Sequence, residues 1–285
     1  MPELPEVETI RRGLKPFILD KKITKITVLC DKSFVGTPKS IIGAKPITLR
    51  RYGKALIIDL DNNKSLMIHL RMTGQLIYDG EERYSAGHPS DNFTAQLPNK
   101  QTRAIIEFAD GGVLYFNDQR KFGFIKIIAT AEVENDPFIK KLAPEPWDMT
   151  DGELYKKFIH HPKMTVKAAL LDQTIVCGLG NIYADEALFQ AKIHPARRVE
   201  TLSESEVDAL QTAAKMVMEK SINSGGSTMA TYIRPDGTKG DYLEKFAQVF
   251  RHEGKECPIC GTKIIKIRVA GRGTHVCPNC QKEAK

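Results

Sequence analysis

Between Lys22 and Phe34, and again between Ile47 and Leu60, β-branched and apolar residues alternate with polar ones, as in Ile-Thr-Lys-Ile-Thr-Val and Ala-Leu-Ile-Ile-Asp-Leu. A period of two sends alternate side chains to opposite faces, so these stretches predict strands. The same signal predicts strands at Ser65 to His69, Ala104 to Phe108, Val113 to Phe116 and Phe124 to Ile128. Asp61-Asn62-Asn63 and Asp110-Gly111-Gly112 are turn sequences between them. No helical pattern intervenes, which predicts an antiparallel sandwich. The first fourteen residues differ. Val7, Ile10 and Leu14 recur at three-to-four spacing, with Glu8, Arg11 and Arg12 on the other face and Pro5 suited to a first helical turn. A helix lying against the sandwich is expected.

From Asp79 to Lys100 the chain turns polar, and an exposed loop or hairpin excursion is expected. Pro137 to Pro146 reads as a linker. Helical periodicity then covers Gly152 to Ile159, Val166 to Leu171, Asn181 to Ala191 and Ser203 to Ser221, the last opened by a capping box of Ser203 and Glu206. There is no internal repeat. An α+β chain of two domains follows: a β-sandwich over 1–136, a linker over 137–146, a helical region over 147–250 and a C-terminal finger over 251–285.

The finger rests on cysteines. Cys257-Pro-Ile-Cys260 and Cys277-Pro-Asn-Cys280 are two CxxC knuckles, and four thiolates so spaced suit one closed, structural zinc site. Another metal or a redox pair is the alternative. Strands are expected over Thr262 to Val269 and Thr274 to Val276, around Ala270-Gly271-Arg272-Gly273. Arg272 between two glycines can bring both backbone and guanidinium to a phosphate, with Lys263, Lys266 and Arg268 nearby; a merely solvated hairpin is the other reading. Cys30 and Cys177 read as small buried residues. The net charge of +7 favours polyanionic partners. No apolar run reaches membrane-spanning length and the start lacks a signal-peptide pattern, so a cytoplasmic or nucleoid-associated protein is expected.

Chemistry concentrates at the start, Met-Pro-Glu-Leu-Pro-Glu-Val-Glu. Removal of Met1 would turn the Pro2 nitrogen from an amide into a secondary amine able to attack carbon. Glu3 and Glu6 place two carboxylates near it for acid and base work, although acidic residues also favour a plain helix start. Gly178-Leu-Gly180 before a helix opening at Asn181 suits either phosphate binding or a structural turn. In His69-Leu-Arg-Met-Thr-Gly74 and Asp118-Gln-Arg-Lys-Phe-Gly123, Met72, Arg120 and Phe122 are either base-stack wedges or core residues. Lys54, in Arg50-Arg-Tyr-Gly-Lys54, alone reads as surface charge at a strand start.

Together these motifs resemble the formamidopyrimidine-DNA glycosylase family over essentially the whole chain. The resemblance implies a β-sandwich followed by a helix-two-turns-helix domain with a zinc finger, DNA lying in the cleft between them, and excision of oxidised purines with strand cleavage. It implies that Pro2 forms an imine at C1′, Glu3 donates the proton that opens the sugar, and Lys54 acts near the scissile phosphate. It also implies that Met72, Arg120 and Phe122 fill the gap left by the everted base. Lys163, Lys167, Asn181 and Arg272 are implied as phosphate contacts, Arg272 also assisting elimination, and Thr231 and Tyr232 as part of the loop over the lesion. Double-stranded DNA with oxidised bases or abasic sites is the implied partner and a monomer the implied state. The chain departs from the family in three places. Lys100-Gln-Thr-Arg103 replaces Lys-His-Asp-His, moving an expected phosphate contact to Gln101 or Arg103; Ala230 stands where a basic residue is common; and the excursion before Lys100 is longer. Rival readings are an endonuclease VIII-like enzyme for oxidised pyrimidines and a non-catalytic DNA-binding module.

Overall fold

The computed structural model describes residues 1–88, 90, 93–227 and 242–283. The chain divides into two compact units, Met1–Lys140 with Ser224–Asp241 and Lys141–Asn223 with Tyr242–Lys285.

The first unit opens with helix α1 (Leu4–Ile18) and continues through ten strands: β1 (Ile23–Val28), β2 (Phe34–Val35), β3 (Pro46–Tyr52), β4 (Ala55–Leu60), β5 (Lys64–His69), β6 (Gly74–Asp79), β7 (Arg83–Gly87), β8 (Thr102–Phe108), β9 (Val113–Asp118) and β10 (Phe124–Ala129). They form two five-stranded sheets, ordered β1-β8-β9-β6-β7 and β2-β10-β5-β4-β3. All pairings are antiparallel except β2 with β10. The expected sandwich is therefore present. Its core joins both sheets to the apolar stripe of α1, burying Val7, Ile10, Leu14 and Ile18 with residues such as Leu56, Ile68, Leu76 and Phe116. A short helix, α2 (Pro137–Lys140), follows β10 and sets Phe138 edge-on to the His69 ring at 5.1 Å.

Three expectations change here. The run from Lys22 to Phe34 is two strands in different sheets, broken by a 3-10 turn at Asp31–Ser33 where the Ser33 N–H reaches the Cys30 carbonyl at 3.0 Å. Strand β6, absent from the pattern reading, runs between β9 and β7. Five of its six residues are buried, so it shows no alternation. The polar excursion contains β7, whose Tyr84 is 2% exposed and lies so close to α1 that a side chain on Gly13 would meet its ring at 2.6 Å. Phe93 from the same excursion is buried with Ile77 and Tyr115.

The second unit carries α3 (Glu153–Phe158), α4 (Val166–Leu171), α5 (Asn181–Gln190), α6 (Glu204–Asn223) and the hairpin β11 (Ile265–Val269) with β12 (Arg272–Val276). The capping box of α6 is formed, with Ser203 N–H on Glu206 Oε2 at 2.9 Å and Glu206 N–H on Ser203 Oγ at 3.2 Å. Helix α5 is buried nearly all round, from Tyr183 to Phe189. No helix among the described residues is long and apolar enough to cross a membrane.

Candidate nucleic-acid interface and metal centre

The start of α1 is enclosed. Pro2 is buried and Glu3, the residue before the helix, is 3% exposed, whereas Met1 is 44% exposed. The Glu6 carboxylate holds this turn. One oxygen accepts the Glu3 N–H at 2.8 Å and the other accepts the Ser227 N–H at 2.9 Å. Glu6 thus fixes the backbone just behind Pro2 and ties it to the segment leading into 228–241. Thr231, Tyr232 and Ala230 lie outside the described residues.

One turn further along, Glu8 is not part of a solvated face. It is 6% exposed and gathers Arg11 at 2.7 Å, Arg12 at 2.7 Å and Arg51 at 3.2 Å. Arg51 in turn donates to the Gly53 carbonyl at 3.0 Å, in the β3–β4 turn that carries Lys54. Lys54 is 7% exposed rather than a loose surface charge. Burial alone would raise the Glu8 pKa, but hydrogen bonds from Arg11 and Arg12 with the charges of Arg11 and Arg51 outweigh it and bring it to about 2. A carboxylate favoured in the fold stabilises it fully above its ordinary 4.5, and that contribution fades as pH falls toward about 2. Glu8→Gln is therefore expected to lower stability near neutrality by at most about 3 kcal/mol. In chemical melts the gap from the parent should close between pH 4.5 and 2; a gap independent of pH would refute the assignment.

The β5–β6 loop begins after His69, which is 5% exposed and passed over by the sequence reading. Burial, then the charges of Arg71 and Lys54, bring its pKa down to about 3, so the imidazole is neutral at physiological pH. Its Nδ1 accepts the Arg71 N–H at 3.0 Å, which places the proton on Nε2 and pins a residue with φ of 50° just before Met72. Met72 is half-buried. Phe122 is 53% exposed with the Arg120 guanidinium 4.7 Å from its ring centre, so the core reading of this aromatic does not hold. A large exposed aromatic stacked on a cation is a surface prepared for a planar group.

Arg103 is elsewhere than expected. It is 8% exposed, donating to the Asp118 carbonyl at 2.7 Å and the Lys100 carbonyl at 3.0 Å, so it braces a turn instead of meeting a phosphate. Gln101 is half-buried; its N–H bonds Asn99 Oδ1 and its carbonyl accepts the Asp118 N–H, each at 2.9 Å.

In the second unit, Lys163 and Arg272 are exposed and suited to an anion. Arg272 opens β12 after a two-residue turn, Ala270-Gly271, whose φ angles are both positive as such hairpin turns require. Asn181, first residue of α5, donates to the Gly273 carbonyl at 3.0 Å and so sits beside that turn. Lys167 is corrected: it is 0% exposed, with Nζ 2.5 Å from Asp185 Oδ1 and 2.7 Å from Thr274 Oγ1. A buried ammonium needs a fixed counter-charge, and with that supplied by Asp185 this lysine fastens the hairpin and cannot reach a phosphate. The other Asp185 oxygen accepts the His275 N–H at 2.9 Å. Neighbouring Glu186 accepts three consecutive N–H groups, those of Gln248, Val249 and Phe250, at 2.8–3.0 Å.

The four predicted cysteines converge. Cys257, Cys260, Cys277 and Cys280 have sulfurs within 4.8 Å of one another, with Cys260 to Cys277 at 3.5 Å and Cys257 to Cys280 at 3.8 Å. Bonds of about 2.3 Å to a tetrahedral zinc require sulfurs about 3.8 Å apart, so the donor set and size fit one structural zinc. Cys257 and Cys277 pack with Phe189, Val249 and Ile264 in a small apolar cluster beside it.

A β-sandwich with an enclosed Pro-Glu start, joined in one chain to a helical unit ending in a four-cysteine finger, defines a class of nucleic-acid-binding proteins. Family models agree segment by segment: the formamidopyrimidine-DNA glycosylase N-terminal domain matches residues 1–125, the H2TH domain of that glycosylase 142–232, and the zinc finger found in FPG and IleRS 254–282. A formamidopyrimidine-DNA glycosylase of Exiguobacterium sp. is 38% identical over 99% of this chain and 100% of its own, and one of Listeria innocua is 39% identical with the same coverage. Among solved structures, a complex between the Lactococcus lactis Fpg and DNA containing an abasic site superposes with TM-score 0.86 at 36% identity, covering 99% of this chain and all of that one. The MutM (Fpg) protein of Thermus thermophilus gives 0.84 at 34% identity, with full coverage of both. The chain belongs to the formamidopyrimidine-DNA glycosylase family.

Proposed function

We infer that this chain is a bifunctional DNA glycosylase and abasic-site lyase that removes oxidised purines, 8-oxoguanine and formamidopyrimidines, from duplex DNA in base excision repair. The observation that carries the reading is the enclosed start of α1, where Pro2 and Glu3 are buried and Glu6 holds the backbone behind them by two hydrogen bonds, in a chain of this family.

The chemistry follows from the groups. A target base must leave the stack before its C1′ can be reached. With Met1 removed, the Pro2 lone pair attacks C1′ as the glycosidic bond breaks and its electrons leave with the base, which takes up the proton shed by the Pro2 nitrogen. Glu3 supplies a proton to the sugar ring oxygen, the C1′–O bond of the ring breaks, and the Pro2 lone pair forms an iminium (a charged imine) with C1′. That imine acidifies the C2′ proton, whose loss expels the 3′ phosphate in a β-elimination; δ-elimination then expels the 5′ phosphate. Lys54 acts beside the scissile phosphate and sugar. Glu6, its oxygens engaged by backbone, serves here as a positioning group. Met72, Arg120 and Phe122 occupy the space of the extruded base, while Asn181, Lys163 and Arg272 hold backbone phosphates. Zinc on Cys257, Cys260, Cys277 and Cys280 supplies folding of the hairpin and no step of the reaction. We place the protein as a monomer on the bacterial nucleoid.

Incubation with borohydride on duplexes carrying either 8-oxoguanine or thymine glycol tests this. A covalent adduct mapping to Pro2, formed faster with 8-oxoguanine, is expected. Preference for thymine glycol would assign the chain to oxidised pyrimidines, and tight binding without any adduct would make it a binding module.

A further inference from the structure

Asp118 ends β9 at 0% exposure, and its carboxylate is the centre of a turn. One oxygen accepts the Thr73 hydroxyl and, at 3.1 Å, the Arg120 N–H; the other accepts the N–H groups of Phe122 at 2.8 Å and Gly123 at 2.7 Å. Thr73 closes the ring, because its hydroxyl oxygen also accepts the Arg120 N–H at 3.0 Å. Below the turn, the Asp118 carbonyl takes Arg103 Nε at 2.7 Å, and its N–H is held by the Gln101 carbonyl at 2.9 Å. Little room is left for drift: a side chain on Gly123 would meet the Phe116 ring at 2.9 Å and the His69 carbonyl at 3.0 Å.

Two loops far apart in sequence therefore share one anionic acceptor. Thr73 directly follows Met72, while Arg120 and Phe122 stand on the turn itself. The Asp118 carboxylate takes four donors, and a charged acceptor bonds each donor more strongly than a neutral one. Three of the four donors belong to the loop of Arg120 and Phe122, whose side chains are exposed, so the cluster fixes their backbone without filling a core.

We propose that Asp118, braced from beneath by Arg103, is a positioning residue that locks the Met72 loop to the Arg120–Phe122 loop, so that the three side chains enter the duplex as one rigid unit. This rests on the glycosylase reading above, since it presumes that these side chains replace an extruded base. It also explains the departure at 100–103: the arginine in place of the family's common histidine is used for bracing, not for phosphate.

Thr73→Val and Thr73→Ser are the primary test, because the first keeps the shape and removes the hydroxyl, while the second removes a methyl group and keeps the hydroxyl. Asp118→Asn is the second, keeping shape while turning an N–H₂ toward N–H donors. The rates compared are single-turnover excision of 8-oxoguanine, which needs extrusion, and borohydride trapping on a duplex already abasic, which does not. Thr73→Val is expected to slow excision about tenfold and Asp118→Asn about a hundredfold, with Thr73→Ser and all trapping rates within about threefold of the parent. A 2-aminopurine opposite the lesion should brighten on binding to the parent and less with Thr73→Val. Equal excision by the valine and serine variants would overturn the proposal, as would a parallel fall in both assays. Absence of trapping by the parent protein on abasic DNA would instead overturn the glycosylase reading beneath it.

Discussion

A chain carrying an uncleaved extension before Met1 is expected to lose base excision and strand cleavage by about a thousandfold or more, the scale seen when a covalent nucleophile is removed. The extension keeps the Pro2 nitrogen in a peptide bond, where its lone pair is delocalised into the carbonyl and cannot attack C1′. Folding should be untouched, because Met1 is 44% exposed and an added segment leads into solvent while Pro2 and Glu3 stay enclosed. Binding of the extended protein to a duplex with a stable abasic analogue should stay within about tenfold of the parent, since the phosphate contacts that dominate affinity are intact. Cleaving the extension so that the chain begins at Pro2 should restore both the activity and the borohydride adduct. An extended chain that still formed an adduct on lesion DNA would show that another amine, Lys54 first among them, is the nucleophile.

That Pro2 could be proposed as the nucleophile from sequence rests on the resemblance of the Pro-Glu start to the family and on covalent chemistry: losing the residue before it turns an amide nitrogen into a free amine. Spacing made the four cysteines equally legible, because tetrahedral zinc ligation permits few arrangements of two CxxC pairs. Burial was harder to read. Lys167 carries the same charge as Lys163, and what separates a buried ion pair from a free cation is Asp185, eighteen positions on and one turn along α5. Arg103 likewise looks like a phosphate ligand until the carbonyls of Lys100 and Asp118 are seen around it. Strand β6 escaped because it lies inside a sheet and buries five of six residues, which erases the alternation by which strands are found. Asp118 could have been suspected, since an aspartate followed by a Gly-terminated turn of five residues is a common acceptor of turn N–H groups. Its link to Thr73, forty-five positions back, could not.

Removing the zinc, or replacing Cys277 with serine, should cost the protein its grip on DNA while sparing the first unit. The hairpin β11–β12 has five residues per strand, and an isolated pair of that length is marginal in water. Its apolar support within the second unit is small, chiefly Phe189, Val249 and Ile264 around Cys257 and Cys277. Zinc binding of about 10–16 kcal/mol in comparable finger peptides is thus free energy that the hairpin itself cannot replace. Once it unravels, Arg272 loses its place, Asn181 loses the Gly273 carbonyl, and Lys167 is left with Asp185 but without Thr274. On the roles proposed for them, Arg272 and Asn181 would then both lose hold of a phosphate, and without those two hydrogen-bonded anchors the affinity for an abasic-analogue duplex should fall roughly a hundredfold or more. Metal analysis should find one zinc per chain before treatment and none after. Far-ultraviolet circular dichroism should change little, because no described helix lies within the finger. The intact sandwich should keep Pro2 enclosed, so trapping on abasic DNA should recover when protein concentration is raised above the weakened Kd. A zinc-free chain that bound the duplex as tightly as the parent would show that the finger holds neither Arg272 nor the phosphate it is assigned.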